Sequence, residues 1–215
     1  MPGEIHCPLC AGAEISFYHQ DRRRPYLCCS TCCLVFVPSD WHLSRDEERA
    51  QYTLHKNYID DPGYRTFLSR MMHPLIERLT PGTVGLDFGC GTGPALAHML
   101  REAGFTVALY DSFFVPEQVV LDVHYDFICA TEVVEHLHRP GLELGRLWAL
   151  LKPGGWFGIM TRLVLDSTDF ASWHYKNDPT HVCFFSAKTW RWWALQHGAN
   201  IEIIGADVIL LQRES

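Results

Sequence analysis

The sequence predicts an α/β fold in which a mostly parallel sheet follows a small cysteine-rich unit. Three observations lead to this prediction. Six of the nine cysteines lie in the first 33 residues. From residue 83 onward, short apolar and β-prone segments alternate with helical patterns, as in parallel sheets. The first of these segments ends in a glycine-rich loop, Asp87 to Gly93, and a helix is predicted directly after it.

The cysteine-rich unit, assigned to residues 1–40, is predicted to be a zinc ribbon. Two C-x-x-C pairs separated by eighteen residues supply its predicted ligands: Cys7, Cys10, Cys29 and Cys32. Four thiolates at this spacing suit a closed, tetrahedral zinc site. Cys28 offers an alternative second pair, with either Cys32 or Cys33. So short a segment buries too little surface to fold alone, so we expect zinc to be structural here.

Residues 41–82 are predicted to form helices that link the ribbon to the sheet and pack on it. Ser44 and Glu47 match the capping-box spacing, which predicts a helix start at this point. A second helix is predicted over Tyr64 to Leu79, where apolar residues recur at helical intervals.

The glycine loop is predicted to bind a cofactor. Val84 to Phe88 is apolar enough for a buried parallel strand. Glycines at 89, 91 and 93 let a ligand lie directly against the main chain. The G-x-G-x-G spacing differs from the G-x-G-x-x-G fingerprint of nicotinamide and flavin proteins, so it favours another adenosine cofactor. The next predicted strand, from Thr106, ends at Asp111, where a carboxylate can accept bonds from ribose hydroxyls.

The remaining strands complete the predicted sheet, with Leu150 to Gly155 as a turn between two of them. We expect these strands over four segments: Tyr125–Glu132, Trp156–Thr161, Ala199–Ile204 and Asp207–Gln212. The last two form a hairpin about Gly205. Only fourteen residues separate Asp111 from Asp126, which is too few for a full helix and strand. The third strand is therefore predicted to be reduced or absent.

This ordered set of motifs resembles the class I S-adenosylmethionine-dependent methyltransferases, over residues 83–213. The resemblance implies a Rossmann-like sheet with an antiparallel last strand, a domain over residues 83–215, and S-adenosylmethionine as cofactor. Within the superfamily, Glu132 to His136 resembles the EVLEH segment of the ubiquinone-type O-methyltransferases. The resemblance, together with the prediction that the glycine loop binds a cofactor, implies these cofactor-binding residues: Asp87, Phe88, Gly89, Cys90, Gly91, Gly93, Asp111, Ser112, Thr131 and Glu132.

Candidates for a base, or for orienting the acceptor, follow two of the predicted strands. Glu135 and His136 come just after a strand's carboxyl end, where open α/β sheets place ligands. His174 and His181 lie in the segment that, in this superfamily, helps to build the acceptor pocket. Histidine has a suitable pKa for accepting a proton at neutral pH. A second zinc cluster of His174, Asp178, His181 and Cys183 is an alternative for this segment.

The amino-acid composition limits the kinds of molecule and surface to which the protein is expected to bind. Hydrophobic residues make up 47% of the 215 residues, enough for a packed core. Eighteen basic against 25 acidic residues give a net charge of −7, which disfavours nucleic-acid binding without excluding it. The amino terminus lacks the pattern of a secretion signal, and no stretch of eighteen apolar residues occurs, so we expect a cytoplasmic protein without a membrane span.

The sequence therefore predicts a methyltransferase that acts on an O, N or C nucleophile of a soluble small molecule. An RNA base methyltransferase is the first alternative, because a zinc ribbon before this fold also resembles the ribosomal-RNA guanine methyltransferases. A non-catalytic module is the second alternative, in which the domain binds the cofactor and the ribbon docks a protein partner.

Overall fold

The structure, a computed structural model, describes residues 5–54, 58–165 and 167–214. The first four residues of the predicted ribbon and residues 55–57 of the predicted linking region lie outside the described part. Its strands are β1 (Ile15–Gln20), β2 (Pro25–Cys29), β3 (Val35–Phe36), β4 (Val84–Phe88), β5 (Thr106–Tyr110), β6 (Tyr125–Thr131), β7 (Leu151–Met160), β8 (Cys183–Phe184), β9 (Ala199–Ile204) and β10 (Val208–Arg213). Its helices are α1 (Arg45–Thr53), α2 (Pro62–Ile76), α3 (Ala95–Glu102), α4 (Pro140–Leu150), α5 (Ser167–Ser172) and α6 (Ala187–Gln196).

The large sheet has six strands in the order β5-β4-β6-β7-β10-β9. The first four strands are parallel to one another, and β10 runs antiparallel to both of its neighbours. This arrangement confirms the Rossmann-like fold with an antiparallel last strand. Between β5 and β6 the chain forms only a short 3-10 helix, Gln118–Asp122, and β5 is an edge strand. The third strand is therefore absent, as the short spacing predicted.

Local sequence accounts for most element boundaries. The side chain of Ser44 accepts a hydrogen bond from the Glu47 backbone, and the Glu47 side chain binds the Ser44 backbone in return, so the predicted capping box starts α1. Helix α2 begins at Pro62, two residues before its predicted start at Tyr64, because proline can occupy the first helical position, and Asp61 caps it. Among the described residues, no helix has the length and apolar character that a membrane span requires.

The predicted turn at Leu150 to Gly155 is wrong in one respect, because β7 already begins at Leu151. Tyr125 of β6 pairs with Leu151, whereas Phe127 pairs with Trp156. The pairing therefore skips residues inside β7, and Gly154 takes a φ of +76° there. The glycines and proline form a bulge within the strand, where a turn before the strand was expected.

The cysteine-rich unit shares a sheet with the carboxyl-terminal half of the chain. The small sheet has the order β1-β2-β3-β8, and β8 comes from residues 183–184. Val35 pairs with Phe184, and Phe36 pairs with Cys183. Buried side chains of this unit and of the large sheet belong to one continuous hydrophobic core. The unit is thus packed directly against the segment that carries His181.

Arg24 joins the cysteine-rich unit to this segment. The side chain is only 5% exposed, yet its guanidinium donates to four backbone carbonyls at 2.7–2.9 Å. These carbonyls belong to Lys176, Asp178, Pro179 and His181. A fixed fork of donors is well suited to binding several carbonyls at once. Arg24 therefore holds the backbone of the 176–181 loop in one conformation.

We expect Arg24→Met to lower the free energy of unfolding by about 3 kcal/mol or more, because it leaves buried carbonyls without donors. Arg22→Met serves as the matched control, since Arg22 is exposed and surface changes usually stay within about 0.5 kcal/mol. Urea denaturation of zinc-loaded protein measures both variants. Equal stability of the two variants would show that the carbonyl contacts contribute nothing.

Candidate functional site

A cavity of about 770 Å³ opens at the carboxyl ends of β4, β5 and β6. All ten predicted cofactor-binding residues line it: Asp87, Phe88, Gly89, Cys90, Gly91, Gly93, Asp111, Ser112, Thr131 and Glu132. The parallel strands of an open α/β sheet end together at one edge, and this brings together residues that are far apart in sequence. The volume lies in the usual range for small-molecule sites.

The glycine loop presents bare backbone to this cavity. Gly91 has a φ of +63°, and a Cβ added to it would have no neighbour within 4 Å. It therefore faces open space in the cavity. Gly89 has a φ of +76°, and a Cβ added there would lie 2.4 Å from a Val133 methyl carbon. One glycine thus leaves room for a ligand, and the other leaves room for the neighbouring loop.

Asp111 ties this loop to the turn after β5. Its Oδ2 accepts a hydrogen bond from the Gly91 amide at 3.0 Å. Its Oδ1 accepts from the amides of Phe113 and Phe114 at 2.8 and 3.0 Å. Since a carboxylate offers about four acceptor positions, Asp111 can also accept a bond from a ligand hydroxyl. The residue orders both walls of the cavity.

Asp87 is almost fully buried at the end of β4. Burial raises its pKa to about 7, although a hydrogen bond from the Ala97 amide and the nearby Arg101 act in the opposite direction. The same hydrogen bond connects β4 to the first turn of α3. Asp87 therefore positions the glycine loop between the strand and the helix.

Helix α1 covers part of the cavity, which sequence reasoning missed. Arg45, Glu48 and Tyr52 all line the cavity from this helix. The Arg45 guanidinium donates to the Ser112 carbonyl at 2.8 Å, and the Tyr52 ring lies 5.3 Å from the His136 ring. These three residues fall at positions i, i+3 and i+7, on one helix face. In a helix with so few apolar residues, this spacing could have indicated that one polar face of the helix contacts a ligand site.

His136 and His181 lie together in the cavity wall, with ring centroids 4.6 Å apart. Nδ1 of His136 lies 3.2 Å from the Thr180 carbonyl, and Nδ1 of His181 lies 2.8 Å from the Tyr175 carbonyl. Because a carbonyl can only accept, each Nδ1 carries a proton, and in the neutral form of either ring the lone pair is on Nε2. Burial lowers the pKa of His181 to about 4, with help from His136, so this ring is neutral at pH 7.

Glu135 lies behind these rings and is fully buried. Its Oε1 accepts a hydrogen bond of 2.5 Å from the Tyr175 hydroxyl, and it lies 3.9 Å from Nε2 of His136. Burial raises the pKa of Glu135. Glu132, which has a φ of +53°, lines the cavity, and burial and Glu135 raise its pKa to about 9. Both carboxyls are thus protonated more readily than ordinary glutamates.

His174 lies apart from the other three catalytic candidates. It lines a second pocket of about 570 Å³, and its Nε2 is 3.2 Å from an Arg162 nitrogen. The alternative zinc cluster with Asp178, His181 and Cys183 does not form. Within the described ranges, two groups of three or more potential metal ligands occur, and neither is this cluster: the four cysteines 7, 10, 29 and 32, and Glu135 with His136 and His181. The Cys183 thiol instead donates a hydrogen bond to the Leu137 carbonyl.

The structure brings Cys7, Cys10, Cys29 and Cys32 together. Their sulfur atoms all lie within 4.8 Å of one another, and the Cys7–Cys32 and Cys10–Cys29 pairs are 3.5 Å apart. A zinc ion about 2.3 Å from each sulfur requires separations close to this. Cys28 and Cys33 are not part of the group.

The two C-x-x-C pairs have the same backbone turn. The amide of Ala11 donates to the Cys7 carbonyl at 2.9 Å, and the amide of Cys33 donates to the Cys29 carbonyl at 2.9 Å. Ala11 and Cys33 both have a φ of 58°. Each turn therefore carries its two thiols in the same way, and this repeated geometry fits a zinc knuckle.

A Rossmann-like sheet of this order, with a glycine loop and an acid at the ends of its first two strands, defines the class I methyltransferase fold. The family model described as "Methyltransferase domain" matches residues 63–203, which is more than half of the chain. The chain therefore belongs to the methyltransferase-domain family. No curated protein matches the chain by sequence.

Solved structures show the same fold at low sequence identity. One is magnesium protoporphyrin IX methyltransferase from Synechocystis PCC 6803 with bound S-adenosylhomocysteine, with a TM-score of 0.57 and 17% identity, over 81% of this chain and 97% of that chain. Another is the 1,6-didemethyltoxoflavin-N1-methyltransferase of Burkholderia thailandensis with bound 1,6-didemethyltoxoflavin and S-adenosylhomocysteine. Its TM-score is 0.55 and its identity 19%, over 85% of this chain and 96% of that chain.

Proposed function

We propose that this protein transfers a methyl group from S-adenosylmethionine to an O, N or C nucleophile of a small molecule. The observation that carries the proposal is the cradle formed by Gly91 and Asp111, which leaves bare backbone and a carboxylate facing one cavity. The two solved methyltransferases named above hold S-adenosylhomocysteine in the same fold, and both act on small molecules. The segment from Glu132 to His136 supports a relation to the ubiquinone-type subgroup.

The cofactor would supply a methyl group already activated on a sulfonium sulfur. The residues of the chain would then mainly position the reactants, which can provide most of the rate acceleration. Gly89, Gly91 and Gly93 would hold the methionine portion, and Asp111 would hold the ribose. Thr131 and Glu132 would face the reacting end of the cofactor.

The acceptor would occupy the part of the cavity bounded by His136 and His181. The backbone carbonyls select the tautomer in which the lone pair of the neutral ring is on Nε2. Either ring would orient an acceptor hydroxyl or amine and accept its proton. Because burial lowers the pKa of His181 to about 4, orientation is its stronger contribution. Glu135 would act on the acceptor only through its neighbours, since it does not line the cavity.

We also propose that the four-cysteine group holds a structural zinc ion. Four thiolates close the coordination sphere and leave no position for a substrate, unlike catalytic zinc sites. The ion would stabilise the small sheet, which β8 connects to the acceptor side of the cavity. All nine cysteines are free of disulfides, which fits a reducing compartment such as the cytoplasm.

Calorimetric titration with S-adenosylhomocysteine tests the proposed function. We expect zinc-loaded protein to bind one equivalent with a Kd in the micromolar range, and S-adenosylmethionine to compete for the same site. NAD serves as the control ligand, because the glycine spacing differs from the dinucleotide fingerprint. Binding of NAD in preference to S-adenosylhomocysteine would overturn the proposal.

A further inference from the structure

We propose that the second pocket, lined by Arg70, Arg162 and His174, binds an oxyanion of the acceptor, that is, a carboxylate or a phosphate group. This pocket, of about 570 Å³, adjoins the first cavity, because Phe67 and Glu132 line both. Three basic side chains gather here although the chain as a whole has a net charge of −7. Such a local concentration of positive charge attracts anions even in an acidic protein.

Strand β7 brings Arg162 to the edge of the sheet at which the cofactor is proposed to bind. Met160, the last residue of β7, pairs with Thr131 of β6. The Met160 carbonyl also accepts a hydrogen bond from the Glu132 amide at 2.8 Å. Arg162 follows Met160 by two residues, and its side chain lines the same pocket as Glu132. An acceptor that reacts near Glu132 can therefore reach Arg162 with a charged group.

The charge of Arg162 is not balanced by a neighbouring carboxylate. In the described ranges, no acidic oxygen lies within 4.0 Å of its guanidinium. Its Nη1 lies 3.2 Å from Nε2 of His174. Because a guanidinium can only donate, His174 is the acceptor, and this contact uses one of the five N–H donors of Arg162. The histidine therefore orients the guanidinium without neutralising it and leaves donors for a ligand.

Arg70 is held at the pocket by two contacts. Its guanidinium pairs with Asp207 at 2.8 Å and lies 4.5 Å from the centre of the Phe67 ring. Asp207 thus balances the charge of Arg70 but not that of Arg162. The acid that lines the pocket is Glu132, and burial and Glu135 raise its pKa to about 9, so this carboxyl is protonated at neutral pH. An oxyanion would therefore meet positive charge and unused N–H donors, which together form strong hydrogen bonds.

The consequence for the substrate rests on the proposed function, although anion binding itself does not. An acceptor whose acid group is held at Arg162 would direct its nucleophile toward Glu132 and the cofactor. A neutral analogue would leave the guanidinium without its partner and would react more slowly. The substrate class is therefore an organic acid or a phosphate ester that also carries the nucleophile to be methylated.

Titration with benzoate and with inorganic phosphate tests this inference. Zinc-loaded protein is used, with and without saturating S-adenosylhomocysteine, and nuclear magnetic resonance follows the backbone amides of His174 and Tyr175. We expect saturable binding of at least one of the two anions in both conditions. Arg162→Met should weaken this binding at least about tenfold, because it removes charge-assisted hydrogen bonds.

Arg191→Met is the matched control. It removes the same charge from the protein, but Arg191 is exposed on α6 and lines neither pocket. This variant should bind both anions like the parent. Binding of benzoate alone would assign carboxylic acids as acceptors, and binding of phosphate alone would assign phosphate esters. Either result, or binding of both anions, supports the site.

The remaining outcomes separate this inference from the proposed function. Absence of saturable binding of both anions in folded parent protein overturns it, as does equal affinity in the parent and in folded Arg162→Met. If Arg162→Met does not fold, Arg162→Gln decides. Anion binding that saturating S-adenosylhomocysteine abolishes would assign the pocket to the carboxylate of the cofactor and overturn the acceptor assignment. Anion binding lost in the Arg162 variant supports the anion site even if S-adenosylhomocysteine does not bind.

Discussion

Gly91→Val is expected to raise the Kd for S-adenosylhomocysteine by about 100-fold or more, which corresponds to about 2.7 kcal/mol. Two effects act together. The residue at this position has a φ of +63°, which a β-branched side chain adopts only with strain. The side chain would also project into the open space of the cavity, where the cofactor backbone contact is proposed. Calorimetric titration of folded, zinc-loaded protein measures the change.

Gly104→Val is the matched control for this prediction. Gly104 has a φ of +91°, and a Cβ added there would meet nothing within 4 Å, but the residue is outside the cavity. The variant therefore introduces comparable backbone strain without blocking a ligand. It should bind S-adenosylhomocysteine with the affinity of the parent. If both variants lose affinity equally, strain alone explains the result and the cradle is not the binding site.

Cys29→Ser is expected to remove the zinc ion and unfold the small sheet. Cys29 is completely buried and belongs to the four-thiolate group. A structural zinc ion contributes about 10 to 16 kcal/mol in small zinc domains, which is as large as the whole stability of a typical protein. Because β8 and the four carbonyls at Arg24 depend on this sheet, the loop that carries His181 should become disordered as well.

Metal analysis, urea denaturation and limited proteolysis together measure this effect. We expect less than one zinc ion per chain and proteolytic cleavage near Arg24 in the variant. Cys33→Ser and Cys28→Ser are the matched controls, since each removes a neighbouring cysteine outside the group. They should keep one zinc ion and the stability of the parent. Loss of zinc in a control but not in Cys29→Ser would assign the site to the alternative pairing.

Local patterns predicted the parts of the fold that depend on neighbouring residues. The glycine loop, the acid at Asp111 and the capping box at Ser44 are each determined within a few residues, and the structure has all three. The missing third strand followed from the number of residues after Asp111, because a helix and a strand require a minimum length. These features also position every predicted cofactor residue at one cavity.

The sequence pattern did not predict which distant segments of the chain pair as strands. β8 has only two residues, Cys183 and Phe184, and its partner strand lies about 150 residues earlier. Arg24 is the last of three consecutive arginines, and nothing in the neighbouring sequence indicates that distant backbone carbonyls surround its side chain. The position of α1 over the cavity depends on similar tertiary contacts. Contacts between segments so far apart in sequence depend on loop closure and on packing in the folded chain. The local periodicity of the sequence carries no information about such contacts.

A crystal structure of the zinc-loaded protein with S-adenosylhomocysteine tests the central claim most directly. We expect the ligand in the 770 Å³ cavity, with its homocysteine portion against Gly91, its ribose at Asp111 and its sulfur toward Thr131 and Glu132. The sulfur should also be directed toward His136 and His181. A ligand bound elsewhere, or a cavity without ligand in crystals grown at saturating concentration, would contradict the assignment of this cavity as the methyl-transfer site.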